Sequence, residues 1–143
     1  MESGLVEIEG GVTAPRGFRA GAVACGLKGG DTMDLGLLVS DFPAVSAATF
    51  TTNRIKAAPV RVSSEHLRSA DTRGVIINSG NANACTGSTG IQNAKRMARA
   101  VAVQLGVKDR QILVCSTGRI GRDLPIEKIE RAVAHGNHPP IAR

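Results

Sequence analysis

A chain of 143 residues, 42% of them hydrophobic, is long enough to bury a core of its own and too apolar to remain disordered over most of its length. Three Phe with no Trp or Tyr leave the core to Ala, Val, Ile and Leu, and remove the aromatic platforms on which single-stranded nucleic acid stacks. The net charge of +6 admits an acidic partner without requiring one, and three widely spaced cysteines, with no C-x-x-C, argue against a disulfide framework or a zinc site.

The first ten residues, MESGLVEIEG, carry three Glu and no apolar segment, unlike a secretory signal or an Arg-rich transit peptide. No apolar run reaches membrane-spanning length, so a cytoplasmic protein in a reducing compartment, without membrane contact, is expected. FRAGAVACGLK (18–28) and MDLGLLVSD (33–41) read as two strands of a hairpin, joined through Gly29-Gly30-Asp31. Beyond Pro43, the period-two run from Val45 to Thr52 predicts a third strand. The loop NRIKAAP and a mixed stretch to about residue 70, holding a short helix, follow.

Val75-Ile76-Ile77 is a continuous apolar run, as in a strand covered on both faces. From 89 to 105, Ile91, Ala94, Ala98, Val101 and Leu105 recur at helical steps; Thr89 and Gln92 suit a capping box and Gly106 a C-terminal cap. Gln111 to Cys115 returns to strand. Asp123 and Pro125 open a second helix with Ile126, Ile129 and Val133 on its apolar face. Strand, helix, strand, helix implies a crossover unit, and the whole predicts an α/β fold with a mixed sheet. Residues 1–134 form the expected domain and 135–143 a frayed tail. Lys95, Arg96, Arg99, Lys108, Arg110, Arg119, Arg122, Lys128 and Arg131 concentrate the positive charge after residue 90, and are expected on solvated helix faces.

Two loops of small polar residues, NSGNANACTGSTG (78–90) and STGRIG (116–121), follow the buried strands, where α/β proteins often place sites. Asn78, Asn81 and Asn83 can turn the chain or hold a polar substrate. Neither loop carries a nucleotide-binding glycine motif. Cys85, Cys115 and Ser116 are nucleophile types, yet an activated nucleophile needs a base. His66 reads as ordinary surface, and His135 and His138 lie in the tail with no third metal ligand near them. Cys85 and Cys115 are expected to be small buried side chains. What the second loop can offer is donors: a Thr hydroxyl and a glycine N–H suit a developing oxyanion.

GGVTAPRGFRA, LGLLVSD, TFTTNRIKAAPV, VIINSGNANACTG and CSTGRIG…LPIEKI, in this order, resemble the ornithine acetyltransferase family, the bifunctional glutamate N-acetyltransferase and amino-acid acetyltransferase of arginine biosynthesis. The resemblance spans about residues 10 to 133 and implies the amino-terminal part of a self-cleaving α/β fold. It implies α and β chains made by self-cleavage, a nucleophilic N-terminal Thr on the β chain, and αβ units that oligomerise. That Thr takes acetyl from N-acetylornithine as an ester and passes it to glutamate; some members also accept acetyl-CoA. The S-T-G motif implies Thr117 and Gly118 as the oxyanion hole, with Cys115 and Ser116 as structural neighbours. No cofactor or metal is implied, and the nucleophile is expected outside these 143 residues, which alone should transfer nothing. The competing expectation is a non-catalytic binding domain of the same fold, its basic face meeting an acidic partner.

Overall fold

The computed structural model describes residues 6–68 and 71–135. Strands β1 (Phe18–Val23) and β2 (Leu35–Ala44) lead to helix α1 (Ala58–His66) and strand β3 (Thr72–Asn81). Helix α2 (Gly87–Leu105) follows, then a 3-10 turn at Asp109–Gln111, strand β4 (Ile112–Arg119) and helix α3 (Ile126–Ala134). The strands form one mixed sheet in chain order. β1–β2 and β2–β3 are antiparallel, β3–β4 is parallel, and α2 is the crossover that the parallel pair requires. The expected class, α/β with a mixed sheet, is the class observed.

One face of the sheet carries the core. Ile76, Ile112 and Val114 from β3 and β4 pack with Val62, Met97, Ala98, Val101 and Ile129 from the helices. The stripe Ile126, Ile129 and Val133 on α3 is buried as its spacing requires. Alternation sends Val75, Ile77, Leu113, Cys115 and Thr117 to the opposite face, which bears no helix among the described residues. There Ile77 is 41% exposed.

The outer edge of β4 is closed by α1. The Ser63 hydroxyl donates to the Val114 carbonyl at 2.7 Å and accepts from the Val114 N–H at 2.9 Å. His66 Nδ1 lies 2.7 Å from the Ile112 carbonyl and its side chain is buried, so it is not the surface residue expected. Side chains here do for the edge what a fifth strand would.

Several boundaries differ from expectation. β1 stops at Val23 rather than 28, because Asp34 draws the next residues into a loop. β2 continues past Pro43 through a register shift between Val39 and Ala44, the kind of irregularity at which proline fits. The strand expected over 45–52 is absent: those residues are unpaired coil, and Val45 is 96% exposed. Its alternation sets Val, Ala and Thr against Ser, Ala, Phe and Thr, so neither side offers an apolar face to bury. α2 starts at Gly87, ahead of the expected Thr89–Gln92 box, with Thr86 at its N-cap, while Gly106 ends it at φ 65°. Apart from His135, the expected tail lies outside the described residues.

Candidate functional site

The two segments expected to be loops begin as strand. β3 runs to Asn81 and β4 to Arg119, so Thr117 and Gly118 stand in the ladder, opposite Ser79 and Gly80. Gly118 adopts φ +132°, and a Cβ there would lie 2.5 Å from the Asn81 nitrogen. Only glycine allows the strand ends to approach this closely. Val114 turns its N–H and carbonyl away from β3, toward Ser63, whereas the Arg119 carbonyl turns inward and accepts from Ala82 N–H at 2.9 Å. Gly118 has the parity of Val114, so its N–H is directed away from β3 as well. The exposed Thr117 side chain emerges on the helix-free face.

Three buried asparagines brace this end of the sheet. Asn78 Nδ2 donates to the Asn81 carbonyl at 2.8 Å, and Asn81 Nδ2 donates to the carbonyls of Arg122 and Asp123 at 3.2 and 3.1 Å. Asn83, at φ 47°, donates to the Gly90 carbonyl and accepts from the Thr86 hydroxyl, both at 2.8 Å. Their amide nitrogens all donate to backbone carbonyls, while Asn78 Oδ1 is buried without a partner among the described residues.

A cleft of about 520 Å³ opens over the strand ends, lined by Leu27, Lys28, Ser79, Gly80, Thr117, Gly118 and Arg119. Its far wall depends on Asp34, a buried carboxylate that accepts the N–H groups of Cys25, Leu27 and Lys28 at 2.7, 2.6 and 2.9 Å. Burial pushes the Asp34 carboxyl up, but the hydrogen bonds from Lys28, Cys25 and Leu27 outweigh it and hold the carboxyl below its ordinary range. In the sequence Asp34 lies near the start of an expected strand, and nothing there marks its role, because its partners are backbone N–H groups.

The nucleophile candidates are not assembled into a catalytic set. Cys85 and Cys115 are exposed, against expectation, because Cys85 sits at φ 58° in the turn before α2 and Cys115 faces the helix-free side. Desolvation pushes the Cys115 thiol up, which disfavours its reactive thiolate. Cys25 is raised to about 12 by burial and then by its hydrogen bond to Asp34. Ser116 Oγ is buried without a partner among the described residues. His66 binds the Ile112 carbonyl, five residues and about 16 Å along the strand from Thr117. His135 is exposed at the end of α3, and His138 lies outside the described residues. Among the described residues no group of three His, Cys, Asp or Glu could hold a metal ion, and no helix is long and apolar enough to cross a membrane.

The basic residues are exposed, as expected, but four of the nine lie off the two helices: Lys108 and Arg110 at the 3-10 turn after α2, and Arg119 and Arg122 at and beyond the end of β4. The positive face is partly neutralised from within: Arg96 on α2 pairs with Glu130 at 2.6 Å and Glu127 at 3.4 Å on α3.

A model of the ArgJ family matches residues 19–139. The chain belongs to that family. It is 43% identical over 127 residues to the arginine biosynthesis bifunctional protein ArgJ of Dehalococcoides mccartyi, an alignment covering 87% of this chain and 31% of the relative. With the protein of the same name from Thermobifida fusca the identity is 48% over 119 residues, or 82% of this chain and 31% of the relative. The chain thus spans about a third of the length of the curated relatives it matches. Its fold superposes with a TM-score of 0.83 on the crystal structure of ArgJ from Bacillus halodurans, at 38% identity, covering 87% of this chain and 65% of that one. Against ornithine acetyltransferase from Mycobacterium tuberculosis, solved with ornithine, the TM-score is 0.82 at 45% identity, covering 87% and 68%.

Proposed function

We propose that this ArgJ-family chain is the oxyanion-binding part of an acetyltransferase that moves acetyl from N-acetylornithine to glutamate, with acetyl-CoA as a further donor in some members of the family. The nucleophile is the N-terminal Thr of a β chain produced by self-cleavage, and the 143 residues alone transfer nothing. The observation that carries the reading is the Thr117-Gly118 pair at the end of β4, pressed against Gly80 and opening into the cleft.

The chemistry follows from the donors. Attack on the acetyl carbonyl creates a tetrahedral oxyanion, once when the nucleophile is acylated and again when glutamate's amine removes the acetyl group. The Thr117 hydroxyl and the outward Gly118 N–H donate to that oxygen in both halves, from backbone that the ladder fixes before the charge develops. The β chain docks on the helix-free face, where Val75, Ile77 and Leu113 leave apolar surface open beside Thr117. Docking there brings its Thr to the cleft, and αβ units then assemble further.

The test is Thr117→Ala in the assembled enzyme. Turnover should fall about 10²- to 10³-fold with unfolding unchanged, as for loss of one oxyanion donor. Turnover within a few-fold of the parent protein excludes the assignment.

A further inference from the structure

Among the described residues, the two buried side-chain oxygens without a hydrogen-bond partner, Asn78 Oδ1 and Ser116 Oγ, belong to neighbours. Asn78 and Ser116 face each other across the β3–β4 ladder. Both have the parity of Ile76 and Val114, so both side chains point to the core face of the sheet. Asn78 is fully buried, and its amide is held in one orientation because Nδ2 donates to the Asn81 carbonyl at 2.8 Å. Its neighbour on the other side is Leu35 of β2, so Ser116 is the polar one of its two lateral partners in the sheet. Along the core-facing row of β4, Ile112 and Val114 give way to Ser116, the shortest side chain of the three, immediately before the proposed oxyanion donors.

An amide oxygen and a hydroxyl buried without partners are costly, and folded proteins meet such groups with ordered water. The spacing selects that solution. Same-face neighbours on adjacent strands stand about 4.8 Å apart, too far for an O–H···O bond of at most about 3.0 Å. Two bonds of about 2.8 Å, meeting at a water's near-tetrahedral angle, span about 4.6 Å. We propose that one buried water molecule bridges the pair, donating to Asn78 Oδ1 and accepting from the Ser116 hydroxyl, and that Asn78 and Ser116 are thereby positioning residues for the oxyanion donors. The Ser63 hydroxyl clamps β4 at Val114 and reaches no further along the strand. The bridge adds a second side-chain anchor, to β3, at the residue that precedes Thr117. Its catalytic consequence rests on the acetyl-transfer reading, whereas the water itself does not.

The experiment has two arms, both on the assembled enzyme. A high-resolution crystal structure should show one ordered water within hydrogen-bonding distance of both oxygens. A direct bond between Ser116 Oγ and Asn78 Oδ1, or no water touching both, overturns the proposal. In kinetics with N-acetylornithine as donor and glutamate saturating, Ser116→Ala should lower kcat about 3- to 10-fold, the effect of losing one hydrogen bond, while KM stays within about twofold. Ser116→Thr, which keeps the hydroxyl, should return kcat to within about twofold of the parent value. A kcat per active site that does not follow the hydroxyl, even where the melting temperature falls, overturns the positioning role, since a purely structural hydroxyl would change stability alone. A parent enzyme that moves no acetyl from N-acetylornithine overturns the acetyl-transfer reading and the positioning role together, while the crystal structure still decides the water.

Discussion

The two faces of the sheet are made from the same strands and do opposite things. Toward the helices, Ile76, Ile112 and Val114 are sealed to 1% exposure or less. One residue away in each strand, Ile77 and Cys115 face outward, and Thr117 continues that row to the cleft. Because a strand's side chains alternate, a single ladder can anchor its inner face rigidly while presenting a chemically useful outer one. The asparagines complete the division: their amide nitrogens donate to backbone carbonyls around the strand ends, so that Thr117 and Gly118 are held by structure they do not have to supply.

The comparison breaks first at neighbouring isoleucines. Ile76→Ala should cost about 2–5 kcal/mol in urea unfolding, because it opens a cavity among Met97, Val101 and Val114. Ile77→Ser should leave the chain's own unfolding within about 0.5 kcal/mol and instead weaken its association with the proposed β chain. Equal losses of stability at the two positions would mean that the outer face is as well packed as the inner one.

A smaller effect sharpens the same contrast at the cleft wall. The Asp34 carboxyl is held below its ordinary value, so it contributes stability that is fully present above its unfolded pKa, about 3.9, and is lost as pH falls through the lower folded value. Asp34→Asn should therefore unfold more easily than the parent near neutrality, and the gap should close in acid below about pH 4. A gap that does not change with pH would show that the carboxylate's charge is not what holds the loop.

Most of the framework was legible because it follows from periodicity. The α2 and α3 stripes, the glycine after α2 and the β1–β2 hairpin all stem from local pattern. The failures have physical causes. Residues 45–52 alternate without an apolar side, so the pattern had nothing to bury. Asn78–Asn81 and Ser116–Arg119 have the small polar composition of loops, yet they stay in the ladder because Gly80 and Gly118 permit the contact. Thr117 and Gly118, the proposed oxyanion donors, could be picked out only through the family resemblance, because S-T-G alone is a common tripeptide. Asp34 could not, since its partners are backbone N–H groups, which no side-chain pattern announces. His66 was misplaced for the same reason, its partner being a carbonyl on β4.

The central claim is that this chain receives the charge of the reaction and does not make the attack. Acid-quenching the assembled enzyme with N-acetylornithine in the absence of glutamate, followed by mass spectrometry of each chain, tests it directly. The acetyl group should be found on the N-terminal Thr of the β chain, with this chain unmodified. Acetyl on Cys85, Cys115, Ser116 or Thr117 would contradict the account.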